Sequence, residues 1–330
     1  MQKPVLYICH TPYHVLVSAA KILTQPHAAR FCLAQELPGR EGLAQRLKAC
    51  GLCDTVLLPQ DNEWPKPVLS GWRRPFVHAL QKRAIEKAGF RLDPSEFSEI
   101  CIYNDWSPLG NYLQDLGAEF TMGEDTYNNL HIPNCLIDNQ AKEPDYQNKR
   151  QTGKRYLYWG AYRGTKVVEV ASKKAALYWS ERQREFDLFA ALKQFTPQQM
   201  ETIRRVFIQQ ELPPVQGPTC LFLPRSYYID SMLPSQKAQD TLCRDLVSKY
   251  AEGYQLYIKT HPRDTTDYTV LFPDAVVLDR FMPSELLDYC FTVRFDRAVG
   301  LGTHSICNLK CADEIIDLPE EDLEPYRSIV

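Results

Sequence analysis

Short apolar runs alternate with helix-length amphipathic segments along most of this 330-residue chain. In the first half the runs are rich in β-branched and aromatic residues, and they lie at 5–10, 30–35, 55–59, 99–103 and 118–125. Helical patterns such as "HVLVSAAKIL" separate them. Apolar strands that alternate with helices indicate βαβ units and a parallel sheet. The first half therefore predicts a Rossmann-like unit.

The same alternation returns in the second half, with strand-like runs at 219–224, 254–260, 275–279, 291–296 and 314–318. Between the two halves lie a polar stretch at 139–155, a long helical pattern at about 167–210 and a linker at 209–218. A chain of this length exceeds the size at which one core usually keeps growing. The sequence therefore predicts two Rossmann-like α/β domains, 1–155 and 156–330, which face a central cleft; a helical connector begins the second.

Composition narrows the class of partner. The formal net charge of −3 argues against a nucleic-acid-binding protein, because such domains usually carry a strong basic excess. The basic run "KRQTGKR" is typical of a solvated loop, and it leaves open a peripheral role at the cytoplasmic face of the inner membrane. The amino-terminal segment turns polar by His10, which predicts neither a signal peptide nor a membrane span.

The eleven cysteines are scattered, with close pairs only in "CGLC" and "CNLKC". A single C-x-x-C without a second pair or nearby histidines is a weak signal for zinc or redox chemistry. Free thiols indicate a reducing compartment. We therefore expect a cytoplasmic protein.

Four polar segments follow predicted strands, and ligands of open α/β sheets bind beyond the carboxyl ends of the strands. They are "CHTPYH" (9–14), "GEDTYNN" (123–129), "THPRD" (260–264) and "GTHS" (302–305). In the second, Glu124 and Asp125 point to opposite sides of an extended chain, so one can face a ligand while its neighbour is held by the protein. A partly desolvated carboxylate there could act as a general base, and a plain acidic turn is the alternative.

The two later segments suit a phosphate. His261 could donate a hydrogen bond to a phosphate or protonate a departing oxygen, and Pro262 fixes the turn that aims it. Gly302 allows close backbone approach, and Thr303 and Ser305 offer hydroxyls where a helix could begin. A solvated turn and a simple helix cap are the alternatives for these two segments.

The motifs together resemble those of a known family. "KTHPRDTTDY" and the upstream "GEDTYNN" are similar to the HP motif and the acidic motif of bacterial sialyltransferases, most closely the lipooligosaccharide sialyltransferases of glycosyltransferase family 52. "CLFLPRSYYIDSML" looks like the entry to the second domain of that family. The resemblance implies a GT-B fold, a CMP-activated sialic acid as donor, a glycan acceptor such as lipooligosaccharide, and inverting transfer that needs neither metal nor cofactor.

The resemblance also implies roles for individual residues. His261 would contact or protonate the CMP phosphate with Pro262 and Arg263 beside it, and Glu285 would bind the ribose, although helix-dipole compensation also explains a glutamate there. The remaining donor contacts would come from Gly302, Thr303, His304 and Ser305. His304 could instead point into the core.

For the acceptor, the resemblance implies Asp125, or Glu124, as the base that deprotonates the hydroxyl, with Asp230 as a second candidate. The acceptor side would be lined by His10, Thr11, Tyr13 and His14. One departure bears on the base, because Thr126 stands where the family has a glycine after the acidic pair.

Two other functions stay open at this point. A CDP-glycerol or CDP-ribitol phosphotransferase has a similar strand-end histidine, but its diphosphate donor would favour more basic residues than Lys259 and Arg263. A catalytically silent nucleotide-sugar-binding subunit is the other alternative. The apolar side chains of the middle region, which include Leu177 and Phe186, could pack within one chain or across a homodimer.

Overall fold

The computed structural model describes residues 3–64, 74–142, 156–210, 217–290, 294–303, 306 and 309–329. The chain forms two compact units, Met1–Val206 and Phe207–Val330. No helix in the described ranges is long and apolar enough to cross a membrane. The described cysteines, among them Cys50 and Cys53 of the "CGLC" segment, carry free thiols.

The first unit is a seven-stranded sheet of parallel strands in the order β3-β2-β1-β4-β5-β6-β7. The strands are β1 Val5–Cys9, β2 Ala29–Leu33, β3 Thr55–Leu57, β4 Glu99–Ile102, β5 Phe120–Met122, β6 Thr165–Val170 and β7 Gln183–Glu185. Its helices are α1 Pro12–Thr24, α2 Arg40–Ala49, α3 Arg74–Lys87, α4 Pro108–Asp115, α5 Cys135–Lys142, α6 Leu188–Gln194 and α7 Pro197–Phe207, the last ending at the unit boundary. Strand order reverses between β1 and β4, which makes their carboxyl ends the topological switch point.

The second unit repeats this plan with five parallel strands in the order β10-β9-β8-β11-β12. They are β8 Thr219–Leu223, β9 Gln255–Lys259, β10 Val276–Leu278, β11 Phe295–Leu301 and β12 Ala312–Leu318. The helices are α8 Gln236–Tyr250, α9 Tyr268–Leu271 and α10 Leu287–Cys290, followed by a 3₁₀ segment at Glu320–Tyr326. The switch point of this unit lies between β8 and β11.

Each sheet is built from buried strands. Every residue of β8, "TCLFL", is buried, and β1 is buried after its first residue. α1 begins where Thr11 caps the helix and Pro12 occupies the first turn, a position at which proline needs no amide hydrogen. α8 begins in the same way at Ser235, whose hydroxyl accepts from the Ala238 amide at 3.1 Å. The caps fix where each helix leaves its sheet.

The predicted fold class, two parallel Rossmann-like sheets, is confirmed. The helical prediction for 167–186 is wrong, because β6 pairs with β5 and β7 pairs with β6. Valines dominate β6, and such β-branched residues favour strands. The two compact units meet in the sequence after Val206, and the predicted domain division is at 155/156. Most of the predicted linker, 211–216, lies outside the described residues.

Candidate functional site

The switch point of the first unit gathers two of the predicted segments. His10 and Thr11 follow β1, and the Thr11 hydroxyl accepts a hydrogen bond from the His14 amide at 3.3 Å. Thr11 is therefore the amino-terminal cap of α1. Tyr13 is half-buried. Its ring is edge-on to that of His14, and the two ring centroids are 6.1 Å apart.

His14 joins the "CHTPYH" segment to the acidic motif. Its side chain is fully buried, and its Nδ1 accepts a hydrogen bond from the His10 amide at 3.1 Å. An accepting Nδ1 puts the ring hydrogen of the neutral form on Nε2. Nε2 lies 2.9 Å from the Asp125 backbone oxygen and 3.2 Å from Asp125 Oδ1. The structure thus brings together two residues that lie 111 positions apart in the chain.

The two adjacent carboxylates have different environments. Glu124 is buried, and its oxygens accept from the Leu130 amide at 3.0 Å and the Ala171 amide at 2.8 Å. Burial raises the pKa of Glu124, and these amide hydrogen bonds oppose that rise. The Asp125 side chain keeps 26% of its surface exposed. Of the two, Asp125 is the carboxylate that a ligand can reach.

His10 is buried, and neither of its ring nitrogens has a hydrogen-bond partner in the described part of the chain. Burial lowers the pKa of His10 well below its usual value, so its ring is neutral. The His10 ring lies beside the His14 ring, and the centroids of the two rings are 6.0 Å apart.

Sequence reasoning missed Asp105. It follows β4, is fully buried, and accepts hydrogen bonds from the amides of Trp159 at 2.7 Å and Gly160 at 2.8 Å. Burial raises its pKa to about 7, and the charge of Asp125 adds to the rise. Trp159 has a φ of 57°, so Asp105 holds a turn that a non-glycine residue rarely adopts. The signal was present, because "YND" directly follows a strand at the switch point.

In the second unit, His261 follows β9, the strand next to β8. Its Nδ1 accepts from the Arg263 amide at 3.2 Å, and the Ser226 hydroxyl oxygen lies 3.3 Å from the same nitrogen. The ring hydrogen of the neutral form is therefore on Nε2. Burial and the positive charge of Arg263 lower the pKa of His261 to about 4. At neutral pH this side chain is a neutral hydrogen-bond donor.

Asp230, in the loop after β8, is held on several sides. Ser226 donates to its Oδ2 at 2.8 Å, and a guanidinium nitrogen of Arg263 lies 3.1 Å from Oδ1. Arg225 adds a longer ion pair at 3.6 Å. These partners occupy both carboxylate oxygens of Asp230. Asp230 is placed to position Ser226 and the two arginines.

Lys259 ends β9 and is buried. Its Nζ donates to the Thr260 oxygen at 2.7 Å and to the Arg280 oxygen at 3.3 Å. Burial lowers its pKa to about 8, and the charges of Asp279 and Glu285 oppose the decrease. Glu285, in the 3₁₀ turn Ser284–Leu286, therefore lies near the same edge of the sheet.

The loop after β9 is anchored by Asp264, which is buried. Its carboxylate accepts from Gln239 of α8 at 3.0 Å, from the Thr266 hydroxyl at 2.8 Å and from the Tyr268 hydroxyl at 2.8 Å. This network fixes the backbone that carries His261 and the half-buried Pro262. Within the "HPRD" segment, Asp264 therefore holds the loop in place, and His261 is the residue available to a ligand.

The "GTHS" segment is described in part. Gly302 has a φ of 58°, and its carbonyl accepts from Arg225 at 2.9 Å. Thr303 follows and is half-buried. His304 and Ser305 lie outside the described residues, so their predicted phosphate contacts stay predictions. Within the described ranges, no group of three or more His, Cys, Asp or Glu side chains is arranged to hold a metal ion.

Comparisons with known proteins bear on the fold. No protein-family model matches the chain, so membership of glycosyltransferase family 52 stays a prediction. An uncharacterized protein of Haemophilus influenzae is 42% identical over 60 residues, which are 18% of this chain and 19% of that protein's length.

Two solved structures are similar over most of the chain. The α/β-galactoside α-2,3-sialyltransferase of Photobacterium phosphoreum matches with a TM-score of 0.53 and 11% identity, over 95% of this chain and 90% of that one. MnaA of S. aureus, solved with UDP, matches with a TM-score of 0.45 and 11% identity, over 92% and 76%. The first likeness and the two Rossmann-like sheets define the chain as a protein of GT-B-like fold.

Proposed function

We propose that this chain is a nucleotide-sugar-using enzyme, and more specifically an inverting, metal-independent glycosyltransferase. It would move sialic acid, or a related nonulosonic acid, from a CMP-sugar donor to a glycan acceptor such as lipooligosaccharide. Support comes from the order of the HP and acidic motifs and from the likeness to a solved bacterial sialyltransferase. The observation that carries the proposal is the fixed Nε2–H donor of His261 at the carboxyl end of β9.

The donor chemistry follows from the state of His261. Cleavage of a CMP-sugar leaves a phosphate monoester, whose second ionisation lies near pH 6. The leaving group therefore needs no proton at neutral pH, and a preorganised donor that stabilises its growing charge is sufficient. With a pKa of about 4, His261 would act as this donor rather than as a general acid. Thr303 and Glu285 would add contacts to phosphate and ribose.

The acceptor chemistry needs a base, and the contacts favour Asp125. Glu124 is occupied by two backbone amides, and Asp230 is neutralised by Arg225 and Arg263. Asp125 has one hydrogen-bonded partner side chain among the described residues, and it is partly exposed. Removal of the hydroxyl proton by Asp125 would let the acceptor oxygen attack the anomeric carbon as CMP departs.

Calorimetry with CMP, CDP, UDP and GDP in the presence of a chelator tests the donor assignment. We expect CMP to bind preferentially and His261→Ala to weaken it about 10-fold or more, since a hydrogen bond to a charged group contributes about 1.5–3 kcal/mol. His261→Gln should retain part of the affinity, because its amide can donate. Arg294→Ala is the matched control, as Arg294 pairs with Asp313. Absence of binding to every nucleotide would overturn the proposal.

One observation favours the second candidate, a CDP-glycerol or CDP-ribitol phosphotransferase. The charges of Arg225, Lys259 and Arg263 all act on His261, and Arg225 was not among the cations expected from the sequence. Three cations suit a diphosphate. Tighter binding of CDP than of CMP would support this function over sialyl transfer.

A further inference from the structure

His14 is a buried histidine that the proposed chemistry does not yet use. It lies in the first turn of α1, and its ring stacks on that of Tyr103 with centroids 4.7 Å apart. The Tyr103 hydroxyl lies 2.9 Å from the Ser18 hydroxyl, which donates to the His14 carbonyl at 2.8 Å. The ring is therefore held on its face and through its backbone.

The edge of the ring is fixed as well. Nδ1 accepts a hydrogen bond from the His10 amide, so the lone pair of Nδ1 is occupied. The Nε2 hydrogen is directed at two oxygens of Asp125, the backbone carbonyl and Oδ1. A donor shared between these atoms favours one orientation of the carboxylate. Among the described residues, no other hydrogen bond reaches the Asp125 side chain, so Oδ2 is available to a ligand.

We infer that His14 is a positioning residue, whose Nε2–H holds the Asp125 carboxylate so that Oδ2 takes the proton of the acceptor hydroxyl. This rests on the proposed function, and it replaces the acceptor-binding role expected from the sequence. The acceptor O–H bond breaks and its proton passes to Oδ2. The oxygen uses the electron pair of that O–H bond to form the new bond to the anomeric carbon. The bond between the anomeric carbon and the phosphate oxygen breaks, and its electron pair leaves with CMP. Because Nδ1 is occupied, the proton then returns to solvent from Asp125 itself.

The test compares His14→Gln, whose amide nitrogen can replace Nε2, with His14→Leu, which keeps bulk but cannot donate. Turnover is followed as CMP release from CMP-sialic acid, with water or a galactoside-terminated glycan as acceptor. We expect His14→Leu to lower kcat about 10- to 100-fold with little change in KM, and His14→Gln to recover most of it. In an Asp125→Asn background, His14→Leu should have no further effect. Affinity for CMP, measured by calorimetry, should stay within about twofold throughout, since no donor contact is lost.

A second measurement covers the case in which His14→Leu does not fold. Nitrogen-15 NMR of the wild-type protein should show a histidine ring protonated at Nε2 and unprotonated at Nδ1, with an Nε2 signal that shifts in Asp125→Asn. A ring protonated at Nδ1, or a signal indifferent to Asp125→Asn, would overturn the inference.

The outcomes separate the inference from the proposed function. Turnover lost in Asp125→Asn but intact in His14→Leu would overturn the inference alone. A raised KM with kcat unchanged in both His14 variants would return His14 to acceptor binding. Turnover intact in Asp125→Asn would overturn the assignment of the base, and no CMP release by the wild-type protein would overturn the proposed function.

Discussion

A partly buried charge network lies on one face of the first sheet, and it includes the helix that carries His14. Lys21 of α1 pairs with Glu169 of β6, and both side chains are almost fully buried. Arg184 bridges Glu169 at 3.0 Å and Glu99 at 2.6 Å. Removing one partner of a buried pair leaves an uncompensated charge, which costs about 3–5 kcal/mol.

The geometry predicts that the two partners are not equivalent. Glu169→Gln leaves the Lys21 ammonium surrounded by the rings of Tyr7, Tyr103 and Phe186, 5.4–5.7 Å from their centroids. Cation–π contacts offset only part of the lost pairing. We therefore expect Glu169→Gln to lower the free energy of unfolding by about 3–5 kcal/mol. Lys21→Met should cost less, about 1–3 kcal/mol, because Glu169 keeps its hydrogen bond from Arg184.

Urea denaturation followed by tryptophan fluorescence measures both variants. All five tryptophans precede residue 180, so the signal reports the first unit. The double variant Lys21→Met/Glu169→Gln should be more stable than Glu169→Gln alone, since no unpaired ammonium remains. Lys166→Met is the matched control, because Lys166 pairs with Glu119 at the surface. A cost below about 1 kcal/mol for Glu169→Gln, or equal costs for the two single variants, would refute the reasoning.

Three further outcomes follow from pKa values and backbone geometry. Burial lowers the pKa of Lys259 to about 8, so its charge is lost as pH rises through that value. Calorimetry should therefore show that CMP binding weakens from about pH 7 to 9. Lys259→Met should lack this pH dependence. Burial raises the pKa of Asp105 to about 7 in the folded protein. Its contribution to the free energy of unfolding is therefore full below the pKa of the unfolded chain and falls by on the order of 4 kcal/mol as pH rises to about 7. Asp105→Asn should flatten the dependence of that free energy on pH, measured by fluorescence-detected unfolding. Gly302→Ala puts a Cβ 2.8 Å from Glu320 Cγ at a φ of 58°. The free energy of opening measured by hydrogen exchange at the amides of β8 and β11 should therefore fall by about 1–2 kcal/mol. Unchanged exchange rates would contradict this.

Local signals were sufficient for much of the fold. Thr11 and Pro12 mark the start of α1, and the buried runs of β1 and β8 mark parallel strands. The error at β6 arose because a short apolar run beside helical patterns does not reveal its period. Its pairing with β5 is a contact between segments about 45 residues apart in the sequence, which no local pattern encodes.

The candidate site was predictable by position and less so by role. Strand ends pointed to Asp125 and His261, since ligand residues of such sheets lie there, and the family resemblance added Asp230. The pairing of Asp230 with two arginines depends on how the loops after β8 and β9 fold together. The resemblance therefore suggested a base at a position where the structure shows ion pairs with two arginines.

His14 and His261 share one structural feature, a backbone amide that donates a hydrogen bond to Nδ1. In the first unit the His10 amide occupies Nδ1 of His14, and in the second the Arg263 amide occupies Nδ1 of His261. Each backbone bond fixes the tautomer and leaves Nε2–H as an oriented donor. His14 directs its donor at a carboxylate within the protein, whereas burial and neighbouring cations keep His261 neutral. A neutral donor contributes a directional hydrogen bond but less Coulombic attraction than a cation. The charge attraction for a nucleotide would therefore come from Arg225, Lys259 and Arg263, and His261 would add the hydrogen bond that orients the phosphate.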